Sequence, residues 1–354
     1  MRDSVVSLVQ MITAVILFLL VQSCYVTKQA YVQGGLLLSA EDVDDYKASS
    51  EANPKIVKKL NILENLLKFS SEYGLEANGS YEEIVFPEGG KVSFLAISAE
   101  YNSLEPDTYW FPFVGTVPYK GFFAESDRDE YIAKLKKMGK DTAASDVGAF
   151  SLLGYFDDPI FPSMLRKSEA DMAHLFFHEL THKTVWIPNA AEFNEQLAEF
   201  VAMKISKEYI LKRKLSRSIH FYEKKNNDRN KFGKWVDSLK SELSALYSIA
   251  SLNRIELILR KKKIIDNHIK NKPKFEAVDF IGNKEWNNAR IAIVSTYGTN
   301  YDNYDASYEC ISGAENEKTK MRYFLEKIVE NKSNLGSSDK LKEIFCSKQL
   351  AEEA

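Results

Sequence analysis

Cysteine is scarce in this chain of 354 residues: three in all, one of them at position 24 and the others at 310 and 346. Three cysteines allow at most one bridge within the chain, so a framework of several disulfides is excluded. Charge imbalance is also missing. The formal net charge is −3 and the pI is near 6.1, which gives no case for nucleic-acid binding. No internal repeat and no low-complexity tract is present, so solenoids and linker-rich arrays are excluded as well. With 45% apolar and 27% charged residues, the composition is that of an ordinary globular protein. Its length suits one large domain or two small ones.

Long hydrophobic runs are absent except at the start. Val5 to Val21 is almost unbroken apolar, follows Arg2 and ends in Val21-Gln22-Ser23-Cys24. A small residue before a cysteine at that place reads as a bacterial lipoprotein signal, residues 1–23, with Cys24 lipidated and first in the mature chain. An uncleaved membrane anchor is the alternative. Either way the body is expected in the bacterial cell envelope, lipid-anchored and facing the periplasm or the exterior. Cys310 and Cys346 could pair there or remain separate buried thiols. The sequence leans slightly towards unpaired.

What is present is concentrated in residues 178–199. His178-Glu179-Leu180-Thr181-His182 is an H-E-x-x-H sequence. Asn194-Glu195-Gln196-Leu197-Ala198-Glu199 follows after a break at Pro188. On a helix, positions i and i+4 share one face, so His178 and His182 can grip one metal ion. Glu195 would be the third ligand, and the fourth position stays open, as a catalytic rather than structural site requires. One Zn²⁺ is the expected ion. Zinc lowers the pKa of a water, and Glu179 is placed to take its proton and pass it to the leaving amine. Glu199, one turn beyond Glu195, could hold a ligating histidine by accepting its ring N–H. Asn194 is grouped with it as a supporting residue. His174 extends the row by one turn. A fourth protein ligand would close the site, so His174 reads as a pocket-edge histidine. Two ordinary core helices are the bland alternative to all of this.

Around that centre, residues 25–80 read as mainly helical. Ile84–Phe86, Val92–Ile97 and Tyr109–Phe111 read as β-type, and Asp127–Met138 as a helix. Val147–Phe156 reads as extended, with Gly148–Leu152 a candidate strand for laying a peptide alongside. Ala170–Val185 and Asn189–Met203 are the two metal-site helices. Residues 204–275 are helical and basic, with an apolar repeat from Trp235 through Leu239, Leu243, Leu246, Ile249 and Leu252 to Ile255. Lys261-Lys262-Lys263 reads first as a solvated face, with contact to anionic lipid as the alternative. The tail from Lys318 to Cys346 reads as helical. The expected fold is α+β, predominantly helical, with a zincin-like metallopeptidase core, a small β-sheet and a long helical C-terminal half. It is expected as one domain, 24–354, with the zinc core at about 81–210, a helical arm at about 204–275 and a C-terminal segment at 278–354.

Taken together these motifs resemble the bacterial putative (lipoprotein) aminopeptidase family. The resemblance rests on Cys24-Tyr25, Gln33-Gly34-Gly35, Val117 to Phe123, Phe150 to Pro159, Phe177 to His182 and Phe193 to Ala198. It continues through Leu246-Tyr247, Asn287-Asn288-Ala289 and Tyr297. It implies a membrane-tethered zinc peptidase with His178, His182 and Glu195 as ligands and Glu179 as base. Its partners would be a peptide substrate and the membrane, through lipidated Cys24. Thr181 stands where the family usually has Ala, and Glu199 where thermolysin-like enzymes have Asp. A G-x-M-E-N loop, which zinc aminopeptidases use to hold a free amino terminus, is missing. Asp157, Asp158 and Glu192 are the anionic substitutes. Tyr297 is taken as the oxyanion stabiliser, with Tyr119 and Tyr155 as alternatives. Two other functions fit the same sequence. One is an envelope-anchored, non-catalytic binding or quality-control factor with a structural metal site. The other is a peptidoglycan stem-peptide amidase. Nothing in the sequence bears on the oligomeric state.

Overall fold

The computed structural model describes Gly35 and residues 38–87, 93–111, 115–147, 157–296 and 301–346. The leader 1–23, Cys24, Gly148–Leu152, Tyr155 and Tyr297 lie outside the described residues. Among the described residues no helix is long and apolar enough to cross a membrane.

The chain begins with β1 (Glu41–Asp42), α1 (Val43–Ala48) and α2 (Pro54–Ser71), then β2 (Glu83–Ile84) and β3 (Ser93–Ala99). A hairpin of β4 (Tyr109–Phe111) and β5 (Gly115–Val117) leads to β6 (Lys120–Phe122), α3 (Glu125–Lys137) and β7 (Asp141–Val147). The helical half is α4 (Pro162–Leu165), α5 (Glu169–Thr184), α6 (Ala191–Lys212), α7 (Ser216–Tyr247) and α8 (Arg254–Lys270). It continues with α9 (Asn288–Thr296), α10 (Asp302–Glu309), α11 (Glu317–Glu330) and α12 (Leu341–Phe345). The architecture is α+β and predominantly helical, with small antiparallel sheets.

The three-stranded sheet runs in the order β6-β3-β7, all antiparallel. Side chains alternate across a strand, so β3 sends Phe94 and Ala96 to one face and Leu95, Ile97 and Ala99 to the other. Both faces are covered. Phe94, Ala96 and Phe122 pack against Tyr131 and Ile132 of α3. Leu95, Ile97 and Ala143 pack against Ala289 and Ile293 of α9. β7 covers Asp141–Val147, where the sequence indicated an extended segment only from Val147; the rest of that segment, 148–156, lies outside the described residues. Asp-Thr-Ala-Ala-Ser-Asp has little strand propensity of its own, and the seven-pair register with β3 imposes the conformation.

The largest hydrophobic cluster draws on α1, α2, α5, α6, α10, α11 and α12, with Leu66, Phe176, Phe177, Phe200, Tyr304 and Phe324 all essentially inaccessible. Residues 204–275 comprise the end of α6, then α7 and α8. The chain turns at Lys214, with φ 53, and again between Tyr247 and Arg254, so the apolar repeat from Trp235 crosses a helix break. Trp235, Leu239, Leu243 and Leu246 are buried with Trp286 and Ile281, whereas Ile249 and Ile255 emerge on the surface. Buried Asp228 of α7 fixes the loop after α8, because its carboxylate accepts the backbone N–H groups of Glu276, Ala277 and Val278. Burial opposes its ionisation, but those three donors hold its carboxyl below the usual range.

Cys310 and Cys346 form a disulfide, which corrects the expectation of unpaired thiols. The packing of α10 against α12 brings the two Cα atoms to 5.3 Å, within bridging distance.

Candidate metal centre

Helix α5 starts at Ser168, whose side chain accepts the Asp171 N–H, with Glu169 and Asp171 favourable in the first turn. Met172, Ala173, Phe176, Phe177, Leu180 and Thr181 bury the core-facing stripe. His174, His178 and His182 therefore line up on another face, one turn apart. Thr181 is accommodated where an alanine was expected. Its hydroxyl donates to the Phe177 carbonyl, so no polar group is stranded at a position only 1% exposed.

The connection between α5 and α6 is tied down at several points. Asn194 accepts the Ile187 N–H at 3.0 Å and donates to the Ile187 carbonyl at 2.8 Å. Asn194 thus secures the loop that sets the angle between the helices, and both its bonds go to Ile187. Asn189, at φ 65, accepts the Thr116 N–H from the β4–β5 hairpin. The hairpin fits that closely because residue 115 is glycine. Its φ is +82, and a Cβ there would meet Asn189 at 2.8 Å. Trp186 sets its ring edge-on to His182, with centroids 5.6 Å apart.

The result is a triangle of potential ligand atoms. His178 Nε2 and His182 Nε2 are 3.2 Å apart, and Glu195 Oε2 lies 3.3 Å from the first and 3.6 Å from the second. These three residues could hold a metal ion. Glu195 Oε2 is buried and accepts no well-formed hydrogen bond, although both imidazoles are beside it. Despite burial, the imidazoles of His182 and His178 hold the Glu195 carboxyl down at about 2. Glu179 is also enclosed. Burial raises its pKa, against the pull of His178 and His182.

A second layer lies behind His178. Its Nδ1 is 3.4 Å from Glu199 Oε2, the arrangement expected of a ligand that offers Nε2 to a metal. Glu199 in turn is held by Arg229 Nη2 at 2.7 Å and by His174 Nε2 at 3.0 Å. His174 Nδ1 lies 3.3 Å from the Tyr222 hydroxyl, which donates to the Met203 carbonyl. His174 is thus a partner of Glu199 at the rear of the site. Burial keeps its pKa below the usual imidazole value. Arg229 and Tyr222, both on α7, were not anticipated. They lie 30 and 23 positions beyond Glu199, and no local pattern connects them to it. Replacing Arg229 with Met should weaken metal binding by about 10- to 100-fold, read by competition with a chelating indicator. Arg229→Lys should recover much of that loss. Unchanged affinity in Arg229→Met would show that Glu199 needs no cationic support.

Of the three tyrosines considered, Tyr119 is the one among the described residues, and it is close enough to this centre to feel the charges of Glu195 and Glu179. It sits in the Pro118-Tyr119 turn between β5 and β6, and burial and the charges of Glu195 and Glu179 push its hydroxyl pKa well up. Tyr297 and Tyr155 are not among the described residues. Of the three acids, Asp158 is buried and its charge acts on Glu179, whereas Asp157 is paired with Lys183 and Glu192 accepts from Gln196.

A family model described as "Putative aminopeptidase" matches residues 24–333. The chain belongs to that family. No curated protein and no solved structure matches it. Several residues that carried the likeness to the aminopeptidase family prove to be structural ties. Asn288 donates to the Glu100 carbonyl, accepts from the Tyr247 hydroxyl at 2.6 Å, and gives its backbone N–H to Asp141. Asn287 donates to the Thr142 carbonyl. Together they fasten α9 and the end of α7 to β3 and β7, on the far side of the sheet from α3.

Proposed function

We propose that the protein is a zinc-dependent peptidase of aminopeptidase type, held at the membrane of the bacterial envelope through lipidated Cys24. The observation that carries this reading is the triangle of His178 Nε2, His182 Nε2 and Glu195 Oε2. Ligands at about 2.0–2.1 Å from a tetrahedral zinc stand roughly 3.3–3.4 Å apart. The three separations here, 3.2, 3.3 and 3.6 Å, are close to that. The charge balance fits too. Half-buried Glu195 and Glu199 outweigh Arg229, which favours a dication among them. Three ligands rather than four suit catalysis.

Zinc, when bound, would acidify a water and polarise the scissile carbonyl. Glu179, next to His178 on α5 and outside the ligand triangle, takes the proton and returns it to the leaving amine. Tyr119 would donate to the developing oxyanion. Glu199, held by Arg229 and His174, fixes the His178 ring. Of the three acids considered, Asp158, whose charge acts on Glu179, is the one we assign to a substrate's ammonium group, which would give preference for free amino termini.

The test uses the full chain purified from membranes in detergent. It should contain about one zinc per chain and cleave a mixed peptide library, with products read by mass spectrometry. A chelator should abolish cleavage and added zinc restore it. Blocking the amino termini of the library should suppress most cleavage. If the zinc-loaded protein leaves both libraries intact, the peptidase reading fails. If it cleaves blocked and free peptides alike, the amino-terminal preference fails and the metal chemistry stands.

A further inference from the structure

Helix α8 has an inner face and an outer face of different kinds. Leu257, Lys261 and Ile265, spaced one turn apart, face inward. Lys261 Nζ is held by Asp141 at 2.8 Å and by the Tyr101 carbonyl at 3.0 Å, which pins the helix against the sheet. A capping box between Asn253 and Glu256 fixes its start. The outer face carries Ile255, Ile258 and Leu259, spaced i, i+3 and i+4, so they form one stripe. Ile255 is 72% exposed and Leu259 63% exposed, large values for branched aliphatic residues on a well-anchored helix. Ile249, in the turn before the helix, is exposed as well.

A second element extends the patch. Arg254 stacks over the Tyr101 ring at 4.4 Å and donates to the Gly139 carbonyl. That contact sets the end of α3, with Met138 at 61% exposure, beside the start of α8. Cations surround these apolar groups. Arg260, Lys262 and Lys263 are exposed on α8, and Lys134, Lys136 and Lys137 occupy the last turn of α3. The acids nearby are engaged: Glu256 closes the capping box, and Asp266 pairs with Lys262. In a chain whose net charge is −3, this is a local reversal of sign.

We propose that this face of α8, with the end of α3, docks on an anionic lipid bilayer. Aliphatic side chains at helical spacing, ringed by Lys and Arg, fit the boundary between headgroups and acyl chains. The apolar stripe enters the boundary and the cations meet lipid phosphates. The proposal rests on the membrane-tethered reading in one respect. The segment from Cys24 to Leu38 can reach at most about 50 Å when extended, so a lipidated Cys24 would keep the folded body within about that distance of the membrane. A weak surface then suffices, because the tether makes docking effectively intramolecular. Docking would also fix which way the metal centre faces relative to the membrane.

The test places an environment-sensitive fluorophore at Leu259→Cys in the full chain, reconstituted in vesicles of phosphatidylcholine with or without phosphatidylglycerol. The unsubstituted chain supplies the background from Cys24. On phosphatidylglycerol vesicles the probe should shift to the blue and be quenched by lipid-borne quenchers. High salt, or Lys262→Gln with Lys263→Gln, should reverse both effects. A probe at Tyr323→Cys on α11 should stay water-exposed. A Leu259 probe that remains water-exposed on anionic vesicles overturns the proposal. So does a shift that ignores lipid charge and grows with protein density, which would mean that a second copy covers the face. Flotation of the unlabelled protein reports the tether separately. Chain that floats while its Leu259 probe stays wet breaks the docking proposal alone.

Discussion

Replacing Glu179 with Gln should leave metal content unchanged and lower kcat by roughly 10²- to 10⁴-fold. Glu179 is outside the triangle of ligand atoms, so the amide has no reason to release the ion. It is close to the size of the carboxylate and cannot take a proton from water. Glu195→Ala should behave differently and lose metal and activity together, since it removes a ligand and leaves His178 and His182 facing one another. Zinc analysis of the two variants beside their peptide turnover makes the distinction. Turnover in Glu179→Gln equal to that of the unmodified protein would mean that another group moves the proton. Retained zinc in Glu195→Ala would mean that the third ligand lies elsewhere.

The centre was legible because metal ligation imposes local rules on a chain. Two histidines on one helical face must be three or four residues apart, and a ligand helix that returns after a short break must carry its carboxylate within one or two turns. His178, His182 and Glu195 meet those rules, and the structure brings all three to one point. Glu199 was legible for the same reason, one turn beyond Glu195. Arg229 was not. It reaches Glu199 only because α7 folds back along α6 after the turn at Lys214, and that return is set by tertiary packing. β7 was hidden for a related reason. Its alanines, serine and aspartates signal little, and the strand exists because β3 pairs with it along its whole length.

The basic segment shows where periodicity misleads. The repeat Trp235, Leu239, Leu243, Leu246 marks buried positions correctly. Extended through Ile249 to Ile255 it crosses a helix break, and Ile255 changes from an expected core residue to one of the most exposed aliphatic residues among those described. Spacing alone cannot register that break. The signal lies in Ser248 to Asn253, where Asn253 opens a new helix with its own capping box.

Opening the Cys310–Cys346 disulfide should cost about 3–4 kcal/mol of folding stability. The bridge spans 36 residues, and closing a loop of that size removes about that much chain entropy from the unfolded state. Cysteine spacing in sequence could not reveal the pair, because the approach of α10 to α12 creates the bonding distance. Its position links it to the metal centre. Cys310 ends α10, whose Tyr304 hydroxyl donates to the Phe193 carbonyl at the start of α6, two residues before Glu195. Tyr304, Tyr308 and Phe324 also pack against Phe200 of α6. These contacts do not depend on the bridge, so a Cys310→Ser, Cys346→Ser protein should bind zinc normally while folded. Its urea midpoint should fall well below that of the oxidised protein, and reductant should lower the oxidised protein's midpoint to the same value. Equal midpoints with and without reductant would show that α10 to α12 are held by packing alone. An oxidising compartment would preserve the bond, and a reducing one would open it.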